Sequence, residues 1–227
     1  GATHVNHRID THHHIVPPAY ASSVGPERAF IDSWSPAVAI EDMDRGGTAT
    51  AITCIYAGGA LAGHPDVRAI ARDCNEYAVR MGQDYPGRFG LFATLPMPDV
   101  EGSLREIDYA LDVLKADGIY FQTSYGNKWL GDVAFAPLWQ ELNRRKAVVF
   151  MHPHVPDCCA GLLPGIPPAV IEYAADTTRT IASLVFSGTA TRSPDVRFIF
   201  SHAGGTLPFL IERFTRLAAR KDFAERL

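Results

Sequence analysis

The chain is predicted to be an α/β protein of repeating βα units, arranged as a TIM-like (β/α)8 barrel truncated after about six of them. Three observations carry that prediction. Short apolar or β-branched runs alternate with longer segments of helical period, histidines stand at the C-terminal ends of three of the runs, and no glycine-rich phosphate loop follows the first. The alternation implies a parallel sheet. Active sites form at the C-terminal edge of such a sheet, in open sheets and barrels alike. An open, doubly wound sheet would need a phosphate loop to be persuasive, whereas histidines from three separate strand ends converge more naturally inside a barrel. A full barrel takes about 250 residues. At 227 residues the chain is expected to form a single domain over 1–227 that stops short of the last two units.

The elements follow in order. Ile9–His12 is the first strand. Ser35-Pro36 offers an N-cap followed by proline at the first helical position, and Gly46 closes that helix. Ala49–Tyr56 is the next strand. Val67, Ile70, Ala71, Cys74, Tyr77, Ala78 and Met81 then recur at three- and four-residue steps, the spacing of one helical face. Phe89–Leu95 is a strand, and the helix through Leu104, Ile107, Leu111 and Leu114 stops at Gly118. Gly118–Thr123 and Ala147–His152 are strands four and five. Ile171, Ala175, Thr178, Ile181, Ala182 and Val185 mark a helix that ends near Gly188. Val196–His202 is the sixth strand, and Leu207–Arg220 the last helix.

Composition narrows the class. Hydrophobic residues make up 47% and charged residues 20%, ordinary values for a soluble enzyme. The net charge of −4 comes from 21 basic and 25 acidic residues without strong clustering, which argues against nucleic-acid and anionic-membrane partners. Apolar runs such as Ala147 to Met151 are far too short to span a bilayer. No signal-peptide pattern opens the chain, so a cytoplasmic location is expected. The spacing of Cys54, Cys74, Cys158 and Cys159 fits neither a disulfide framework nor a zinc ribbon. Cys54 and Cys74 fall on apolar positions of a strand and a helix and read as core thiols. Cys158 and Cys159 sit in a Pro-rich loop.

The histidines carry the chemistry. Residues 8–16 read Arg-Ile-Asp-Thr-His12-His13-His14-Ile-Val. Alternation along a strand puts His12 and His14 on one face and His13 on the other. Two imidazoles so spaced can meet one metal ion at about 2.0–2.1 Å each. His152 ends the run Val-Val-Phe-Met-His, and His202 ends Phe-Ile-Phe-Ser-His before Ala-Gly-Gly. His154, His64, His4 and His7 lack a comparable setting. Three imidazoles with an open position suit catalytic zinc or another divalent first-row metal. A fourth histidine can serve as acid or base, because its pKa lies near working pH. Asp10, two residues before His12, is expected to orient a ligand imidazole from behind.

These residues resemble a known family. Ile-Asp-Thr-His12-His13-His14, Phe-Met-His152-Pro and Ser-His202-Ala-Gly-Gly-Thr-Leu-Pro are similar to motifs of the amidohydrolase-related decarboxylases, the family of aminocarboxymuconate-semialdehyde, γ-resorcylate and methylsalicylate decarboxylases. Tyr85-Pro-Gly-Arg-Phe-Gly-Leu-Phe-Ala-Thr-Leu-Pro and Leu142-Asn-Arg-Arg-Lys-Ala-Val-Val-Phe-Met-His152-Pro extend the likeness from Arg8 to Arg213. The resemblance implies a metal-dependent hydrolase barrel with one divalent metal, zinc or alternatively manganese. It implies His12, His14 and His152 as ligands, and His202 as the group that contacts the metal-bound water and handles protons. The family's strand-eight aspartate has no counterpart to assign here. Arg213 matches a position that in some relatives reaches across a homodimer interface to the substrate carboxylate; the alternative for it is a solvated helix arginine. Tyr125, Asn127 and Trp129 follow strand four and are candidates to line the substrate pocket, with aromatic packing the competing explanation.

The expected activity is therefore metal-dependent, non-oxidative decarboxylation of a small carboxylic acid, hydroxylated and aromatic or otherwise unsaturated. Hydrolysis of a lactone, ester or amide by the same ligand set is the runner-up, since fold and ligands do not separate the two. A non-catalytic, truncated metal-binding form is the third reading.

Overall fold

The computed structural model describes residues 7–24, 33–56 and 61–225. The chain divides into two compact units, Gly1–Tyr120 and Phe121–Leu227, and the boundary falls inside a strand. The first unit runs β1 (Arg8–Ile15), α1 (Pro18–Val24), α2 (Pro36–Gly46), β2 (Thr48–Ile55), α3 (Val67–Asp84), β3 (Phe89–Ala93), α4 (Val100–Asp108) and the start of β4 (Gly118–Gln122). β1 pairs with β2, β2 with β3 and β3 with β4, all in parallel. The second unit continues with a small hairpin, Ser124–Tyr125 against Lys128–Trp129, then α5 (Ala136–Arg144), β5 (Val148–His152), α6 (Glu172–Phe186), β6 (Arg197–Phe200) and α7 (Leu207–Ala218). β5 and β6 are again parallel.

In the first unit strand order follows chain order from β1 to β4 with no reversal, and in the second β5 lies beside β6. A doubly wound sheet changes direction at a switch point, and ligands bind there. A sheet that always adds the next strand on the same side is wound as a barrel is. The predicted βα alternation and barrel-type winding are both present. Among the described residues no helix is long and apolar enough to cross a membrane.

Local chemistry sets the element ends. The Ser35 side chain accepts from the Val38 N–H, Pro36 starts α2, and Gly47 takes the left-handed conformation (φ 69°) just past its end. The closing glycine is thus Gly47, one residue beyond the predicted Gly46. α3 buries Ile70, Ala71, Cys74, Ala78 and Met81, the predicted face, and adds Asn75. The helix predicted through Leu114 does continue past α4, but Tyr109–Val113 widens into a π turn, with Leu114 N–H bonding to Tyr109 O. Each strand shifts at one end or both, β1 and β6 the most: β1 runs on to Ile15, and β6 stops at Phe200 rather than His202.

Each unit has its own core. Ile15, Tyr20, Cys54, Ala93 and Ile107 are fully buried in the first, Leu138, Leu142, Val149 and Met151 in the second. In the second, Trp139 stacks on Phe121 and donates its indole N–H to Leu130 O at 2.7 Å. In the first, Asn75 does the work of a polar clamp. Its Nδ2 donates to Thr94 O and to Glu106 Oε1, both at 2.9 Å, and its Oδ1 accepts from Thr94 N–H at 2.8 Å. Arg72 closes the group with an ion pair to Glu106 at 2.8 Å. The chain leaving β3 is held to α3 by these bonds. Asn75→Leu keeps roughly the same volume but strands the Thr94 backbone groups, each worth about 1–3 kcal/mol when buried unpaired, and leaves Glu106 to Arg72 alone. Urea denaturation should show a clear loss of stability for this variant; an unchanged midpoint would remove Asn75 from the set of anchors.

Candidate metal centre

One group of candidate ligands is built on the end of β1. The β1–β2 register advances from Asp10↔Ala51 to His13↔Thr53, so three residues of β1 oppose two of β2. That is a β-bulge, and it re-aims side chains locally. His12 and His14 lie on one side with rings edge to face and Nε2 atoms 3.1 Å apart. Two imidazole nitrogens at that distance either share one proton or face one cation. Zinc ligands at about 2.0–2.1 Å lie roughly 2.8–3.4 Å apart for angles between a right angle and a tetrahedral one. The pair fits that range. His14 Nδ1 lies 3.5 Å from Cys54 Sγ. Burial, then the charge of Asp10, pushes the Cys54 thiol far up in pKa, so it stays a neutral thiol. A proton on His14 Nδ1 pointing to that sulfur leaves Nε2 as the lone-pair donor.

The bulge also decides the partner of Asp10. Strict alternation sets Asp10 beneath His12. The extra residue instead brings Asp10 Oδ2 to His13 Nδ1 at 3.1 Å, while Oδ1 accepts the His12 backbone N–H at 2.9 Å. Asp10 therefore braces the strand end, through the His13 ring and the His12 backbone. His12, His13 and His14 border a cleft of about 370 Å3 with Ser33, Trp34, Val38, Ala39 and Asp42. Among the described residues the buried Trp34 indole N–H there has no partner. Sequence reading passed over Trp34, because an orphaned donor is visible only once its surroundings are built.

A second group lies at the ends of β5 and β6, in the second unit. His152 is 8% exposed, and its Nδ1 meets Pro153 O at 2.7 Å. A carbonyl can only accept, so Nδ1 carries the proton and Nε2 is the lone-pair nitrogen. The His202 ring lies edge-on to His152 at 5.3 Å. His202 is not in the strand: it follows Ser201 in a short turn with φ 50°, and Ala203 at φ 55° shares the left-handed conformation before Gly204 and Gly205. Such a conformation costs a non-glycine residue roughly 1–2 kcal/mol. Desolvation lowers the His202 pKa, which favours the neutral ring. Tyr173, on the first turn of α6, stacks on His202 and meets His152 edge-on, both at 6.2 Å. It is a site residue that the helical periodicity gave no reason to single out.

The residues after β4 separate into two kinds. Tyr125 is buried, with its hydroxyl accepting the Gln122 N–H at 2.9 Å, so it packs and locks the turn. Asn127 and Trp129 border an open cleft of about 410 Å3 with Asp132, Arg179, Ala182 and Ser183. Trp129 donates its indole N–H to Asp176 Oδ1 at 2.9 Å, and the Thr123 hydroxyl donates to Asp176 Oδ2. Arg179 stands 3.5 Å from the same carboxylate. Asp176 is fully buried and was not foreseen. His154 Nε2 lies 2.8 Å from Ser124 Oγ. Arg213 is exposed on α7.

Comparison with known proteins follows from this geometry. The sequence model of the Amidohydrolase family matches residues 9–227. Decarboxylase yanB of Aspergillus niger is 44% identical over 227 residues, covering 92% of this chain and 62% of its own length. The 6-methylsalicylic acid decarboxylase acuB of Aspergillus aculeatus is 38% identical over 216 residues, covering 91% of this chain and 66% of its own. The chain thus spans just under two thirds of the length of these two relatives. Among solved structures, 5-carboxyvanillate decarboxylase of Novosphingobium aromaticivorans, complexed with manganese and 4-hydroxy-3-methoxy-5-nitrobenzoic acid, matches with a TM-score of 0.83 at 21% identity, covering 97% of this chain and 72% of that one. The 2,6-dihydroxybenzoate decarboxylase from Rhizobium matches with a TM-score of 0.79 at 20% identity, covering 91% and 69%. These likenesses show a TIM-like amidohydrolase fold, to which the six strands described above belong.

Asp176→Ala would leave the Trp129 and Thr123 donors unpaired in a buried place, at about 1–3 kcal/mol. Thermal unfolding should begin earlier in that variant, and Trp129 emission should shift to the red. An unchanged melting curve would reduce Asp176 to a bystander.

Proposed function

The chain belongs to the amidohydrolase family, and from that premise we propose that it works as a metal-dependent, non-oxidative decarboxylase of a hydroxylated aromatic or related unsaturated carboxylic acid. The observation that carries the reading is the His12–His14 pair, with Nε2 atoms 3.1 Å apart at the end of β1. We take His12, His14 and His152 as the ligands of one divalent ion. Zinc is the first choice because imidazole donors suit it, and manganese is the alternative, being the metal in the Novosphingobium relative. The single match over residues 9–227 supports one working domain.

The bound ion would supply Lewis-acid attraction for the substrate carboxylate and its neighbouring oxygen. The chain's own residues do the rest. The Pro153 carbonyl holds His152 in the tautomer whose Nε2 can donate a lone pair. Asp10 steadies the His12 backbone and the His13 ring, so the strand end does not fray. His202 carries the proton to the ring carbon that loses carbon dioxide; its lowered pKa makes the charged form a stronger acid. The Trp34 N–H, buried beside the histidine run, would find its partner in an oxygen of the bound acid. Asn127 and Trp129 stay candidates for contact with the substrate from their cleft, while Tyr125 holds the turn below them.

Arg213 is read as the residue that reaches the substrate carboxylate of a second copy in a homodimer. Its exposure on α7 beside Phe209, itself 90% exposed, supports that reading. A single-chain mass in sedimentation would remove it. Four free cysteines support a reducing, cytoplasmic setting.

The deciding experiment gives the purified protein 6-methylsalicylic acid, 2,6-dihydroxybenzoate and 5-carboxyvanillate in 18O-labelled water. Carbon dioxide release without solvent oxygen in the aromatic product is expected. Labelled oxygen in the product of a lactone, ester or amide would favour the hydrolase instead. Metal analysis should find His12→Asn and His14→Asn stripped of the ion, while His13→Asn keeps it; equal loss in all three would overturn the assignment of faces. Trp34→Phe should raise KM roughly 2- to 10-fold with little change in kcat, as loss of one neutral hydrogen bond predicts.

A further inference from the structure

The Pro-rich loop between β5 and α6 carries adjacent cysteines that the candidate centre does not use. Cys158 and Cys159 stand on a short turn, Asp157–Cys159, closed by the Cys159 N–H donating to Pro156 O at 2.9 Å. Their Sγ atoms lie 2.7 Å apart. The two thiols differ in access. Cys158 is exposed, whereas Cys159 is buried and lines a cleft of about 260 Å3 with Leu162, Ile166, Ile171 and Glu172. The remaining cysteines, Cys54 and Cys74, are 0% and 1% exposed and out of reach of reagents.

We propose that Cys158 and Cys159 form an oxidative modification site, which closes reversibly into a vicinal disulfide on meeting a peroxide or a low-molecular-weight disulfide. Oxidation-sensitive cysteines are accessible and lie next to a second thiol that resolves the first product. Cys158 has the access and Cys159 the adjacency. With peroxide, the Cys158 sulfur attacks one oxygen; an S–O bond forms, the O–O bond breaks and one water leaves. The Cys159 sulfur then attacks Cys158; the S–S bond forms, the S–O bond breaks and a second water leaves. Two thiols have lost two electrons and two protons, and the peroxide has become two waters. With glutathione disulfide, Cys158 displaces one glutathione thiol and Cys159 displaces the other, with the same balance on the protein.

Reversibility follows from chain geometry. Neighbouring Cα atoms across a trans peptide lie about 3.8 Å apart, short of the ordinary disulfide span of about 4.4–6.8 Å. A ring closed across one peptide bond is strained, and strained disulfides are the readily reduced ones.

The test is a mass measurement on the native protein and needs no activity. Protein is treated with hydrogen peroxide or glutathione disulfide, denatured, alkylated with iodoacetamide and digested with trypsin. One peptide, 147–179, holds both cysteines and no other. It should lose two hydrogens and take up no alkyl group, and dithiothreitol before alkylation should restore both sites. In Cys159→Ser, Cys158 should instead keep a glutathione adduct; in Cys158→Ser, Cys159 should remain reduced. The proposal fails if the wild-type peptide is fully alkylated after treatment. It also fails if Cys158 ends as a stable glutathione adduct, a sulfinic acid or a cross-link between two chains.

Discussion

The pairing of β1 with β2 is the constraint on which the candidate centre depends. Side chains alternate along a strand, so a shift of one residue in register moves every side chain to the opposite face. Here the register carries a bulge between Asp10 and His13, and its effect is specific. His12 and His14 remain on a common side, with nitrogens 3.1 Å apart. The carboxylate that a regular strand would set under His12 is passed to His13. A bulge leaves an unpaired residue in the ladder, and the Asp10 bond to the His12 N–H takes up that donor. The same carboxylate thus repairs the backbone and steadies the turn of the strand.

A second theme repeats in each unit. In the first, Asn75 reaches from the buried face of α3 to both backbone groups of Thr94, where the chain leaves β3. In the second, Asp176 reaches from α6 to the Thr123 hydroxyl, where the chain leaves β4, and to Trp129 beyond it. Buried polar side chains are stable only when their partners are in place, so such contacts tolerate one geometry and exclude others. Loops at the C-terminal strand ends carry the chemistry in this class of fold. Pinning those loops from the helices is how side chains on irregular backbone keep a defined position. The left-handed turn at His202 and Ala203 is the counter-example: it holds conformational strain at the candidate acid histidine instead of relieving it.

Much of this was legible in the chain. Ser35-Pro36 announced α2, because the cap and the proline each act within one turn. The apolar face of α3 announced itself by spacing. The six strands stood out as apolar runs, and His152 fell at the end of its strand as expected. What could not be read were contacts between residues far apart in sequence. Asp176, Tyr173 and Trp34 give no local signal, since their environment comes from distant segments. Tyr125 was plausible as a pocket residue until its hydroxyl was seen to cap the turn at Gln122.

The sequence by itself determined the class of fold, the order of the strands' elements and the residue types able to hold a metal. Periodicity, capping and hydrophobic alternation are short-range, and a window of a few residues contains them. Only the tertiary structure decided which nitrogen of His152 is held by the Pro153 carbonyl, which ring Asp10 touches, and that Cys158 and Cys159 share a contact with unequal access to solvent. Those outcomes depend on a bulge, on a carbonyl that accepts a proton's bond, and on which side chain fills the space beside a loop. Such features arise when separate segments compete for the same volume and the same hydrogen bonds, and that competition is settled only in the folded chain.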